Sequence, residues 1–314
     1  MKWSLFKNLL ICPTCLLFLY LLTAFTHSAL AGESSENQPI SVVDNRGRTI
    51  TLPAPAKRII SLAPHITEQL FEIGAGDRII ATVSYSDYPA AANDIPRVGG
   101  YNKINIEQIL TLQPDLVIGW ESGNNRESLL RLPELGIKLF ISEPRTLQQV
   151  ADNLKVFGKI TGDQTTADIA AARYLAKLQQ LKQKYQGKKP VSLFYEVWNN
   201  PLITLNGEHL FSRMLDICSG KNIFSTSPQL APRVSREAII VANPQVIITS
   251  NHGKLSIEQW QEIWNVWPQI DAVKNQQLYI APPDVLQRAS TRLVQGTEFL
   301  CETLQKSREQ AAKK

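Results

Sequence analysis

Short apolar runs rich in β-branched residues alternate along this chain with longer stretches whose apolar residues recur every three or four positions. The runs "RIISLA" (58–63), "RIIATV" (78–83), "DLVIGW" (115–120) and "KLFISE" (138–143) have the length and composition of strands buried on both faces. Between them the pattern predicts helices from about Thr67 to Ile73, stopped by Gly74, over 106–112, and near 126–134. The plan then repeats with "VSLFYEV" (191–197), a helix around Leu210 to Ile217 ending by Gly220, "VIITS" (246–250) and "LYIA" (278–281). Strands separated by helices imply an α/β fold with mostly parallel sheets. Ahead of this, "ISVVDNRGRTITL" (40–52) reads as two short strands about an Asn-Arg-Gly turn.

The repetition extends to local detail. "NIEQILTLQPDLVI" (105–118) returns as "SREAIIVANPQVII" (235–248), and "LFEIGAGDRI" (70–79) has a counterpart in "MLDICSGKNI" (214–223). Two similar lobes are the simplest account. Asn105 and Ser235 are good N-caps, so Glu107 and Glu237 fall in the first turn of equivalent helices, where the helix dipole favours a carboxylate. That explains each Glu structurally; functionally, they form two matched acidic points for a partner with basic pockets. Residues 165–186 lack Gly and Pro and predict one helix, about 30 Å long, acting as a stiff strut. The lobes are therefore placed at 32–158 and 188–314, joined by a connecting helix at 159–187.

The 314 residues, 44% hydrophobic and 19% charged, suffice for one large domain or two medium ones. Residues 1–31 differ in kind. Lys2 and Lys7 are their only charges, residues 9–25 are apolar, and Ala29-Leu30-Ala31 is a small-x-small exit, which together read as a secretory signal peptide cleaved after Ala31. Glu33 stands where a lipoprotein would need Cys, so a soluble exported chain is expected. Removing the segment takes two Lys and no acids, lowering the formal charge from +5 to +3. The basic residues are spread along the chain rather than clustered, which argues against nucleic-acid binding. Cys12 and Cys15 lie inside the removed segment; Cys218 and Cys301 remain as an even pair, expected to form a disulfide that contributes roughly 4 to 5 kcal/mol.

Enzyme signatures are missing: there is no nucleophile elbow, no dinucleotide fingerprint and no phosphate loop. His65, His209 and His252 are scattered, without a carboxylate-rich cluster to make a metal site. His65 follows the first main strand, where the crest of a parallel sheet faces a ligand crevice. Aromatic residues gather at the same crests: Tyr85 and Tyr88 in "SYSDYP", Tyr101 after "VGG", Trp120 closing "DLVIGW", and Trp198 after "LFYEV". Such rings suit a large, flat, partly apolar ligand.

With the export signal, two lobes, strut, "SYSDYP", "DLVIGW" followed by "SGN", "VSRE" and the Cys218/Cys301 pair, the chain resembles the periplasmic vitamin B12-binding proteins of ABC importers. The resemblance runs from about Arg58 to Leu304. It implies two α/β lobes joined by one long rigid helix, with a largely preformed cleft between them for cobalamin or a related corrinoid. Tyr85, Tyr101, Trp120, Asp284 and Arg288 match positions that surround the corrinoid, Trp198 is a further match, and Ala231 stands where a pocket Trp can occur. Glu107 and Glu237 match carboxylates that dock on a dimeric inner-membrane permease. The implied protein is a soluble periplasmic monomer that carries corrinoid as cargo, with no cofactor and no catalysis of its own. Haem or a ferric siderophore is the alternative ligand on the same fold.

Overall fold

The computed structural model describes residues 39–250 and 255–313; the expected signal peptide, Cys12, Cys15 and His252 lie outside the described residues. Ile40 to Lys314 form one compact unit. It opens with the expected hairpin of β1 (Ile40–Val43) and β2 (Thr49–Leu52). The Asp44 carboxylate closes the turn by accepting the backbone N–H groups of Arg46 and Arg48, each at 2.9 Å. Gly47 takes the left-handed conformation (φ 78°) that a residue with a Cβ adopts only with strain.

The first lobe runs β3 (Ile59–Ser61), α1 (Pro64–Glu72), β4 (Ile79–Ala81), a small hairpin of β5 (Gly99–Gly100) and β6 (Lys103–Ile104), α2 (Ile106–Leu112), β7 (Leu116–Trp120), α3 (Arg126–Glu134) and β8 (Leu139–Ser142). Its four long strands are parallel in the order β4-β3-β7-β8. Two helices follow, α4 (Leu147–Thr161) and α5 (Gln164–Tyr185).

The second lobe continues with β9 (Val191–Glu196), the hairpin β10 (Trp198–Asn199) and β11 (Leu202–Ile203), α6 (Leu210–Ile217), β12 (Gly220–Asn222), α7 (Arg236–Ala242), β13 (Val246–Thr249), α8 (Ile257–Asn265), α9 (Asp271–Lys274), β14 (Leu278–Ile280), α10 (Pro283–Gln287) and α11 (Leu293–Ala312). The order β12-β9-β13-β14, again parallel, places second, first, third and fourth strands as in the first lobe. The internal repeat is therefore a repeat of topology. In each sheet the order reverses between first and third strands, the switch point beyond whose carboxyl ends such sheets form a crevice.

One apolar core runs through both lobes and the long helix between them. It includes Ile59, Ile118 and Phe140 of the first lobe, Ala167, Ala171, Tyr174 and Leu178 of α5, and Leu193, Ile248 and Leu304 of the second. The strut is therefore packed along one face rather than standing free. Gly158 lets α4 approach α5 closely, since a Cβ there would collide with Ala167. The helix expected over 165–186 is α5 (Gln164–Tyr185), and the first residues of the 159–187 segment belong to the preceding element: α4 ends at Thr161 and Gly162 caps it in the left-handed conformation. Helix α1 begins three residues before the expected Thr67 because Pro64, whose fixed φ suits a first turn, starts it. Helices α4, α8, α9, α10 and α11 are not among the elements expected from the sequence pattern.

Cys218, at the C-cap of α6, and Cys301, inside α11, form the expected disulfide across a separation of 83 residues, and both are fully buried. Among the described residues no helix is long and apolar enough to cross a membrane, and no group of three or more His, Cys, Asp or Glu could hold a metal ion.

Candidate functional site

Between the lobes, a narrow cavity of about 40 Å³ is lined by His65, Trp120, Glu143 and Arg145 from one side and His209 and Gln287 from the other. That is room for a water or two, against the several hundred Å³ typical of a cofactor-sized pocket.

Trp120 occupies the carboxyl end of β7 and is half-buried. Its ring meets His65 edge-on at 5.3 Å and Tyr101 at 6.1 Å, tilted by 45°. Asn124 fixes this arrangement. Its side-chain oxygen accepts the backbone N–H of Trp120 at 2.7 Å, and its amide donates to the carbonyls of Leu62 and Tyr101. The indole lies over Gly123, where any Cβ would strike the ring. The "GN" after the tryptophan thus has a local role: it seats both rings.

Tyr85 stands on the neighbouring loop at φ 67°, 69% exposed. A buried chain of hydroxyls, Ser61–Thr67–Thr82–Ser86, each link 2.8 Å, fastens that loop to the sheet. Trp198 is 38% exposed in the β10–β11 hairpin, its indole N–H donating to the Asn200 carbonyl. The structure therefore gathers His65, Tyr101 and Trp120 into one cluster, and places Trp198 on a separate hairpin of the other lobe.

The charged pair comes from α10 and the loop after it. Arg288 and Asp284 lie one helical turn apart and form an ion pair at 2.9 Å. Arg288 also reaches across to the first lobe, donating to Glu68 at 2.9 Å and to Asp87 at 2.8 Å. Arg292 joins Glu68 at 3.2 Å and lies 4.2 Å over the Tyr88 ring. Glu68, Asp87, Asn124 and Arg292 were not singled out from sequence. Asp87 and Asn124 lay inside quoted motifs, whereas Glu68 carries no local signal beyond its place in the first helix. Burial, reinforced by the Arg288 charge, holds the His65 imidazole down to about 3, and burial with the Arg145 charge holds His209 down to about 4.

The two glutamates sit on matched helices. Asn105 accepts the N–H of Gln108 at 3.0 Å to cap α2, and Ser235 accepts that of Ala238 at 3.2 Å to cap α7. Each seven-residue helix ends on a left-handed residue, Gln113 (φ 46°) or Asn243 (φ 44°), before a proline. Glu107 and Glu237 are both exposed in the first turn. Glu237 is held below the usual carboxylate range by its own backbone N–H and the Ser235 hydroxyl.

Known proteins share this architecture. The model of the family described as periplasmic binding protein matches residues 59–285. The vitamin B12-binding protein of Vibrio cholerae serotype O1 is 38% identical over 258 residues, covering 82% of this chain and 92% of that protein; the one from Photorhabdus laumondii is 34% identical over 254, covering 81% and 90%. The crystal structure of the periplasmic vitamin B12 binding protein BtuF of Vibrio cholerae superposes with a TM-score of 0.74 at 37% identity, covering 81% of this chain and 98% of that one. The periplasmic haem-binding protein HutB of Vibrio cholerae, at 19% identity and a TM-score of 0.69, shares the fold alone, over 79% of this chain and 98% of its own. By this extent of match, and by the two-lobed architecture that carries it, the chain belongs to the periplasmic binding protein family.

Proposed function

We propose that this protein captures vitamin B12 or a related corrinoid between its lobes and delivers it to an inner-membrane ABC importer. The carrying observation is the half-buried Trp120 held by Asn124 between His65 and Tyr101 at the crevice, a flat aromatic surface suited to stacking against a macrocycle. Tyr85 and Trp198 add exposed rings, and Asp284 and Arg288 add polar groups that orient the ligand by hydrogen bonds. The vitamin B12-binding relatives at 34 to 38% identity favour the same ligand class.

On this reading Glu107 and Glu237 dock, one from each lobe, into basic pockets of a dimeric permease, which is why the capped helix recurs. The protein works as a periplasmic monomer, exported by residues 1–31, and releases its cargo chemically unchanged. An absorption spectrum of protein purified from native periplasm tests the ligand class. Corrinoid bands support the proposal; a haem Soret band would replace corrinoid by haem.

A further inference from the structure

Glu68 belongs to α1 of the first lobe and is 5% exposed, yet among the described residues the donors its carboxylate accepts come from the second lobe. Arg288 donates at 2.9 Å, Arg292 at 3.2 Å and the Ser290 hydroxyl at 2.5 Å. The neighbouring Gln69 donates to the Ala289 carbonyl and strengthens the same junction. Arg288 is then met by two more carboxylates, Asp87 at 2.8 Å and Asp284 at 2.9 Å.

Formally, three carboxylates face two guanidiniums, so the cluster carries one net negative charge. Glu68 and Asp87 share one terminal nitrogen of Arg288, and Asp284 forms an ion pair with the other at 2.9 Å. Among the described residues no side chain accepts a hydrogen bond from Nε or Nη2, whose N–H groups are left for a ligand carbonyl. A neutral acceptor can use them. A ligand carboxylate gains little, because the positive charge is already cancelled and its approach to Asp87 and Asp284 is repulsive.

We propose that Glu68 is a specificity-determining positioning residue: it holds Arg288 and Arg292 across the cleft and cancels their charge, so that the cleft selects ligands presenting neutral amide carbonyls over ligands presenting carboxylates. The inference rests on the corrinoid reading and deepens it, since a corrinoid carries a fringe of carboxamides whereas haem carries two carboxylates.

Calorimetric titration of residues 32–314 with cyanocobalamin, and with its derivative in which one peripheral propionamide is hydrolysed to the acid, tests this. Wild-type protein prefers the amide. Glu68→Gln shifts the amide-to-acid affinity ratio toward the acid by about tenfold, the effect of one unit charge within ~10 Å at an effective dielectric near 20. Equal loss of affinity for both ligands would mean a merely structural Glu68 and would overturn the proposal. Should Glu68→Gln fail to fold, Asp87→Asn decides. Its side chain is 49% exposed and touches the same Arg288 nitrogen, so it shifts the ratio in the same direction by a smaller factor. An unchanged ratio in Asp87→Asn overturns the proposal. Wild-type protein that binds neither corrinoid overturns the corrinoid reading and this inference together; wild-type binding with a ratio insensitive to the substitutions overturns this inference alone.

Discussion

His65 couples the cleft floor to the stability of the whole protein. In the folded state its imidazole is held down to about 3 from an ordinary 6.5, first by burial and then by the Arg288 charge, and its Nε2 has no hydrogen-bond partner among the described residues. The folded protein therefore refuses a proton that the unfolded chain accepts. For a group whose folded value is depressed in this direction, stability is intact above 6.5 and falls as pH drops toward 3. Between pH 7.5 and 5.0 the unfolded chain gains most of that proton, and His65 alone removes about 2 kcal/mol.

With an m-value of ~3 kcal/mol/M, that loss moves the urea midpoint down by roughly 0.7 M. His209 contributes a separate loss that both proteins in the comparison share. The comparison is with His65→Phe, which keeps a ring edge-on to Trp120 and cannot titrate. Urea unfolding of both proteins at the two pH values should show the variant losing about 2 kcal/mol less than wild type. Equal losses would refute the reasoning and place the acid sensitivity elsewhere.

Removing the disulfide by Cys218→Ala with Cys301→Ala should cost about 4 to 5 kcal/mol in the chain-entropy model for an 83-residue loop, read as a fall in Tm without reductant. Trp120→Ala should weaken corrinoid binding by more than tenfold at unchanged stoichiometry, since a stacked ring is lost with its buried area; unchanged affinity would leave Trp120 a structural cap. Glu107→Ala with Glu237→Ala should leave ligand affinity intact and impair uptake in cells, and normal uptake would remove the docking assignment. Asn124→Ala should loosen both rings and weaken binding while largely retaining the fold, measured by titration beside circular dichroism.

The parts of the fold that were legible share a cause. Helices 106–112, 126–134 and 210–217 were found at their true bounds because each has punctuation in its own sequence: the caps Asn105 and Asn125, and the stop around Cys218 to Gly220. The strands were found because apolar runs such as "LVI" and "VIIT" are buried on both faces of parallel sheets. Helix 147–161 carries equal punctuation, in the Thr146/Gln149 capping box and in Val150, Leu154 and Phe157 on one buried face. The site divides along the same line. Rings at strand ends were visible because alternation of strands and helices locates the crest. Glu68 was not, because its meaning lies in partners 220 to 224 residues away in the other lobe.

Isothermal titration calorimetry of residues 32–314 with cyanocobalamin tests the central claim most directly. The account predicts one-to-one binding with a Kd below about 1 μM, corresponding to more than ~8 kcal/mol. No measurable binding of cyanocobalamin, with saturable binding of haem or a ferric siderophore by the same preparation, would contradict it.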